Sequence, residues 1–223
     1  MLYKGYIFDL DGVLIDSSRI HFEGWRKFLN EVGRDVDYET FLKSYFGKRG
    51  AETLEQIFGR GKYTPGEARE ISDRIDFNFV MNIGKQKVPI EGAFEFLRTL
   101  KGSGQKIALA TSAPRQNVDA FLDAFSVRNF FDAEVCADDV SHGKPDPEVF
   151  LRAARKLGES PSDCIVFEDS LPGLTAAKAA GMKCVAVLTT TTREVLNRAD
   201  FFITNFNDKN LKQIFGSTTK EIV

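Results

Sequence analysis

Histidine and cysteine are scarce in this chain, with two of the first and three of the second in 223 residues. The cysteines, Cys136, Cys164 and Cys184, show no metal-ligand spacing and each lies in or beside an apolar run. They are expected to be buried thiols in a reducing cytosol, rather than disulfide or catalytic groups. Long apolar stretches are missing too. No window approaches the ~20 residues of a membrane span, and the opening MLYKGYIFDLDG brings acids before a secretory pattern could form. A cytoplasmic protein without membrane attachment is the expectation. Nor is there a surplus of either charge: 30 Lys and Arg stand against 32 Asp and Glu, for a net −2. That balance argues against a nucleic-acid partner, which needs a basic face. A local basic pocket for a small anion is compatible with it.

What is present is material for a large core. Hydrophobic residues make up 43% of the chain and include 20 phenylalanines. Short apolar runs recur: YIF before Asp9, KIALA before Thr111, AEVC before Ala137, CIVF before Glu168, KCVAVL before Thr189, and FFIT. Runs of ~4–6 apolar residues suit strands buried on both faces. Helical patterns separate them, as in GAFEFLRTLKGSG, PRQNVDAFLDAF, PDPEVFLRAARKLG and GLTAAKAAGM. The alternation predicts an α/β, doubly wound, Rossmann-like parallel sheet. Such sheets bind ligands outside the carboxyl ends of their strands.

One interval breaks the alternation. Between Ser17 and Lys85 only helical patterns occur, so a small all-helical cap is expected over residues 17–85. Residues 1–16 and 86–223 then form the core. Trp25, Phe28, Leu29 and Val32 fall on one helix face. Gly33, Gly47 and Gly59 suit C-caps, and Thr64-Pro65 with Glu67 suits a capping box. Too short for a large core of its own, the insertion is expected to pack over the sheet edge.

The stretch FDLDGVLIDS crowds Asp9, Asp11 and Asp16 behind the first strand, where like charges repel unless a cation sits among them. The other strand ends add to the set: Thr111 and Ser112 after the second, Lys144 in the loop after the third, Glu168 and Asp169 after the fourth. Carboxylates, a hydroxyl and a lysine in one crevice fit phosphoryl transfer. Plainer roles are open for several of them. Thr111 and Ser112 could cap a helix, Lys144 could be solvated, and Glu168 could be structural. Asp16 suits a loop-shaping role.

DLDGVLIDS, ATS, the lysine of GKPDPEVF and FEDSLPGLTAAKAAGM resemble, in order and spacing, the motifs of the haloacid dehalogenase superfamily. The resemblance spans essentially the whole chain, and the inserted helices are similar to the branch containing β-phosphoglucomutase and many small-molecule phosphatases. It implies that Asp9 is the nucleophile and Asp11 the general acid/base, with Thr111 on the phosphoryl group and Lys144 damping charge. It implies a Mg²⁺ held by Asp9, the Asp11 carbonyl and Asp169, with Glu168 in or near that set.

The same resemblance nominates His21, Lys48, Arg49, Ser112 and Arg115 as substrate-binding residues. A plainer reading makes His21 a hinge hydrogen-bonder and Trp25 core. Two basic positions expected of a mutase fall at Gly50, one residue after Arg49, and at Ile75, beside Arg74. A mutase must hold a second phosphate there, so a phosphatase of small phosphorylated metabolites is expected, with sugar phosphates favoured. A β-phosphoglucomutase-type phosphotransferase is the alternative. A phospho-accepting signalling module fits less well, since it has no helical insertion after its first strand. A monomer or weak dimer is expected.

Overall fold

Six short strands carry the apolar runs: β1 (Gly5–Phe8), β2 (Lys106–Ala110), β3 (Ala133–Val135), β4 (Cys164–Glu168), β5 (Lys183–Val187) and β6 (Phe201–Ile203). The computed structural model describes residues 3–86 and 88–215; residues 1, 2, 87 and 216–223 of the expected core lie outside that range. All pairings are parallel, in the order β3-β2-β1-β4-β5-β6. The sheet is the doubly wound α/β sheet that the alternation predicts. Winding runs outward from β1 through β2 to β3, then restarts at β4 on the other side of β1. The crevice of such a reversal opens at the carboxyl ends of β1, β2 and β4.

The period of two decides what each face packs against. Tyr6, Phe8, Leu109, Phe167 and Val185 point to one side and join a phenylalanine-rich core. There Phe8 stacks on Phe167 with centroids 4.5 Å apart. Ile7, Ala108, Ala110, Val166 and Ala186 point to the other, where small side chains let alanine-rich helices approach. Each large side chain fully buried this way contributes about 1.5–3 kcal/mol. That gain offsets the cost of holding ionisable groups at the strand ends.

Helices α1 (Ser18–Glu31), α2 (Tyr38–Ser44), α3 (Gly50–Phe58) and α4 (Pro65–Asn82) lie between β1 and β2. The remaining helices flank the sheet: α5 (Ala93–Gly102), α6 (Arg115–Phe125), α7 (Glu148–Leu157), α8 (Leu171–Ala179) and α9 (Asn210–Phe215). The start of α4 forms the expected capping box, with Glu67 N–H on Thr64 Oγ1 at 3.3 Å and Thr64 N–H on Glu67 Oε2 at 2.8 Å.

The inserted helices bury a small apolar cluster of their own, made of Phe22, Trp25, Phe28, Leu29, Phe41, Leu54, Ala68 and Ile75. Aromatic bulk makes this possible in so short a segment, since Phe22 contacts both Tyr38 and Phe41. Only the base of the insertion joins the main core, through Ile20, Phe79 and Ile83. Val32 is not part of the buried face; it follows the last turn of α1 and is exposed.

Candidate active site

Asp9 leaves β1 with its N–H on the Phe167 carbonyl, 3.1 Å away, which ties the first strand end to the fourth. The register pairing Phe8 with both Leu109 and Phe167 sets Asp9 level with Glu168, with Thr111 one residue beyond on the neighbouring strand end. Asp9, Thr111, Lys144, Glu168 and Asp169 are all buried. Lys144 enters from the loop after β3, its Nζ 2.9 Å from Asp9 Oδ1 and 2.5 Å from Glu168 Oε1. The other Glu168 oxygen accepts from the N–H groups of Asp169 and Ser170, both at 2.8 Å, and from Ser170 Oγ at 2.9 Å. Asp169 Oδ2 accepts from the Thr190 hydroxyl.

The glycines of the motifs fit this crowding. A Cβ on Gly173 would lie 1.8 Å from Glu168 Oε1, and one on Gly12 would lie 2.0 Å from Asp169 Oδ2. Gly12 also has φ +78°, the left-handed region that glycine tolerates at little cost.

The electrostatics show a deficit of positive charge. Burial, aided by Glu168 and Asp11 and opposed by Lys144, pushes the Asp9 carboxyl up to about 7. Burial likewise drives Asp169 well above the carboxylate range, with Glu168 and Asp9 adding to the shift. Burial alone would lower Lys144, but Asp9 and Glu168 outweigh it and hold the ammonium above its usual value. Three buried carboxylates therefore face one ammonium. Asp9, Glu168 and Asp169 bring oxygens within 4.8 Å of one another, a set able to hold a metal ion. An all-oxygen donor set of this charge fits a hard divalent cation.

Asp11 occupies a different environment. Its Oδ1 accepts from the Ser17 hydroxyl and lies 3.2 Å from His21 Nε2. Burial alone would raise Asp11, but His21, Ser17 and Lys144 outweigh it and hold the carboxyl below its ordinary value. For His21 burial works downward, and Asp11 with Asp76 reverses it. His21 also stacks on Phe79 at 4.9 Å, where the chain passes from the sheet into the insertion. Asp16 shapes that passage by accepting from Ser18 N–H at 3.3 Å and Ser18 Oγ at 2.5 Å.

A cavity between the inserted helices and the strand ends is lined by Asp9, Asp11, His21, Trp25, Lys48 and Thr111, with Ser112 beside them. Thr111 Oγ1 accepts from Ala113 N–H at 3.1 Å and so closes the turn. Helix α6 starts at Pro114 without a side-chain cap, so neither Thr111 nor Ser112 caps it.

Two nominated residues lie elsewhere. Arg115 extends to Glu134 and Asp139, each 2.8 Å away, because the first turn of α6 projects that side chain toward β3. Arg49 does not line the cavity either. Its guanidinium donates to the carbonyls of Ala137 and Val140 at 3.2 and 3.3 Å and packs against Gly143, joining the insertion to the loop of Lys144.

Three functional candidates escaped the sequence reading. Thr190 follows β5, so the strand-end rule applied to KCVAVL would have found it. Asn117 sits two residues past Arg115, on the inward side of the same turn. Asp76 on α4 carries no motif signal at all. Asn117 Nδ2 donates to Asp76 Oδ1 at 3.0 Å, and both residues line the cavity.

Comparisons with known proteins agree with this geometry. Residues 3–181 match the family described as haloacid dehalogenase-like hydrolase. The validoxylamine A 7'-phosphate phosphatase of Streptomyces hygroscopicus subsp. limoneus is 31% identical over 207 residues, covering 93% of this chain and 96% of that one. The phosphorylated carbohydrates phosphatase of Thermotoga maritima is 33% identical over 188 residues, covering 81% and 82%. Among solved structures, the β-phosphoglucomutase of Clostridium difficile superposes with a TM-score of 0.82 at 28% identity, over 96% of both chains.

The chain therefore belongs to the haloacid dehalogenase-like hydrolases, in their β-phosphoglucomutase-like branch. Within that family it is an enzyme of the phosphoric monoester hydrolase class. Among the described residues, no helix is long and apolar enough to cross a membrane.

Proposed function

We propose that the protein hydrolyses small phosphorylated metabolites, sugar phosphates foremost, by way of a phosphoryl group carried on Asp9 and with the help of Mg²⁺. The observation that carries this reading is Lys144 bridging Asp9 and Glu168 beside a cavity that the inserted helices cover. In the first step an Asp9 oxygen attacks phosphorus and the bond to the leaving oxygen breaks. Asp11, hydrogen-bonded to Ser17 and His21, passes to that oxygen the proton held by its pair with His21. In the second step water gives a proton to Asp11 and attacks the same phosphorus. The bond to Asp9 then breaks, and phosphate leaves.

Thr111 and nearby N–H groups hold the phosphoryl oxygens, and the Lys144 ammonium stays beside the charge that develops on Asp9. Asp9, the Asp11 carbonyl and Asp169 would hold the Mg²⁺. When bound, the ion supplies the positive charge that lets a phosphate dianion approach the carboxylates. Glu168, already engaged by four donors, supports Lys144 and the β4–α8 turn.

Sugar phosphates are favoured because a relative is named for phosphorylated carbohydrates. The mutase alternative has less support, since Gly50 and Ile75 stand where a second phosphate would need cations. Incubation with β-glucose 1-phosphate and a trace of its bisphosphate separates the two. A phosphatase releases phosphate, whereas a mutase gives glucose 6-phosphate without it. Buried cysteines without disulfides suit the cytosol, and a monomer or weak dimer goes with this reading. The proposal is tested on a panel of phosphorylated metabolites with Mg²⁺ and then with excess chelator. Metal-dependent phosphate release supports it, and none from any substrate overturns it.

A further inference from the structure

The part of the cavity that would receive the leaving group is rich in acceptors and poor in cations. His21 is engaged by Asp11, and Lys48 sits exposed, donating to Gln56 Oε1 at 2.7 Å. Against them stands Asp76 on α4. Asn117 of α6 donates to its Oδ1 at 3.0 Å, and its Oδ2 has no hydrogen-bond partner among the described residues. Asn117 is fully buried, and its own Oδ1 is likewise without a partner. Two open acceptors, one from the insertion and one from the sheet domain, thus meet in one wall of the cavity.

We propose that Asp76, positioned by Asn117, determines substrate specificity by accepting hydroxyl groups of a neutral polyol monophosphate, and that it turns away substrates bearing a second anion. This rests on the phosphatase reading above. The buried unpaired Asn117 oxygen and the partly buried Asp76 carboxylate beside it disfavour a leaving group without donors. A second phosphate or a carboxylate beside Asp76 would meet like charge, and His21, which interacts with Asp76, is already engaged by Asp11. Hydroxyls satisfy both acceptors without adding charge.

The test compares kcat/KM for glucitol 6-phosphate, p-nitrophenyl phosphate, fructose 1,6-bisphosphate and 3-phosphoglycerate, in the unmodified protein and in Asp76→Ala and Asp76→Asn. The unmodified protein is expected to favour glucitol 6-phosphate over both multiply anionic substrates. In Asp76→Ala the ratio of glucitol 6-phosphate to p-nitrophenyl phosphate falls about 10- to 100-fold, the loss of a hydrogen bond to a charged group. Asp76→Asn, which keeps an acceptor but not the charge, loses less of that ratio and gains on the bisphosphate relative to glucitol 6-phosphate. A preference of the unmodified protein for either multiply anionic substrate overturns the inference, and so does an unchanged ratio in both variants. Failure of the unmodified protein to hydrolyse even p-nitrophenyl phosphate overturns the phosphatase reading, and this inference with it.

Discussion

Lys144 donates to Glu168 Oε1 across 2.5 Å, and neither side chain is open to solvent. The pair joins the loop after β3 to the carboxyl end of β4, distant from it in sequence. The remaining Glu168 oxygen is occupied by Asp169 and Ser170, so the carboxylate holds lysine and turn together. Replacing Glu168 with Gln leaves Lys144 paired with Asp9 but removes the charge that four donors engage, which costs about 1.5–3 kcal/mol. A denaturation curve should show that loss. Turnover with Mg²⁺ should fall about 100- to 1,000-fold, as for removal of one preorganised charge-stabilising donor.

Gly173 offers a steric test of the same arrangement. In Gly173→Ala the new methyl group would lie 1.8 Å from Glu168 Oε1, so the carboxylate has to move and Lys144 with it. Overpacking of this kind costs about 1–3 kcal/mol. The thermal midpoint and the rate should drop together. Gly66→Ala, in the first turn of α4 with no atom within 4 Å, is the counterpart. It should stabilise by about 0.5–1 kcal/mol through helix propensity alone and leave the rate unchanged.

The loop that delivers Lys144 has an acid-sensitive anchor. Glu148 Oε2 accepts from Ser141 N–H at 3.0 Å and His142 N–H at 2.9 Å, while Arg152 engages Oε1. These bonds, that of His142 foremost, pull the Glu148 carboxyl down to about 2 from its ordinary 4.5. A depressed carboxyl stabilises the fold fully above its ordinary value and ceases to do so as pH falls through the folded one. The stability difference between the natural protein and Glu148→Gln should therefore be constant above about pH 4.5 and vanish toward pH 2. Denaturation midpoints across that range check the sign, as does exchange of the Ser141 and His142 amides.

Much of the fold was legible because apolar runs and acid-bearing strand ends are local signals. YIF and KIALA end where β1 and β2 end, and CIVF and KCVAVL end within one residue of the ends of β4 and β5. Parallel pairing then fixes which ends are neighbours. What escaped is set by tertiary geometry. Whether Arg115 or Asn117 faces the cavity depends on the rotation of α6, and PRQN does not reveal it. Arg49 is adjacent in sequence to the cavity-lining Lys48 and Gly50, yet its side chain leaves the cavity for the Ala137 and Val140 carbonyls. The small apolar cluster of the insertion is hard to read locally because its aromatic residues come from several helices and meet only in the folded chain.

The central claim is that Asp9 carries the phosphoryl group, and Asp11→Asn makes it directly measurable. With the proton acceptor for the second step removed, the phosphorylated enzyme should accumulate when Mg²⁺ and p-nitrophenyl phosphate are added, because that leaving group needs no proton donor in the first step. Acid quenching followed by peptide mass spectrometry is predicted to find one phosphoryl group on Asp9, and none when Asp9 is also changed to Asn. A phosphoryl group on another residue, or turnover that persists in Asp9→Asn, would contradict the account.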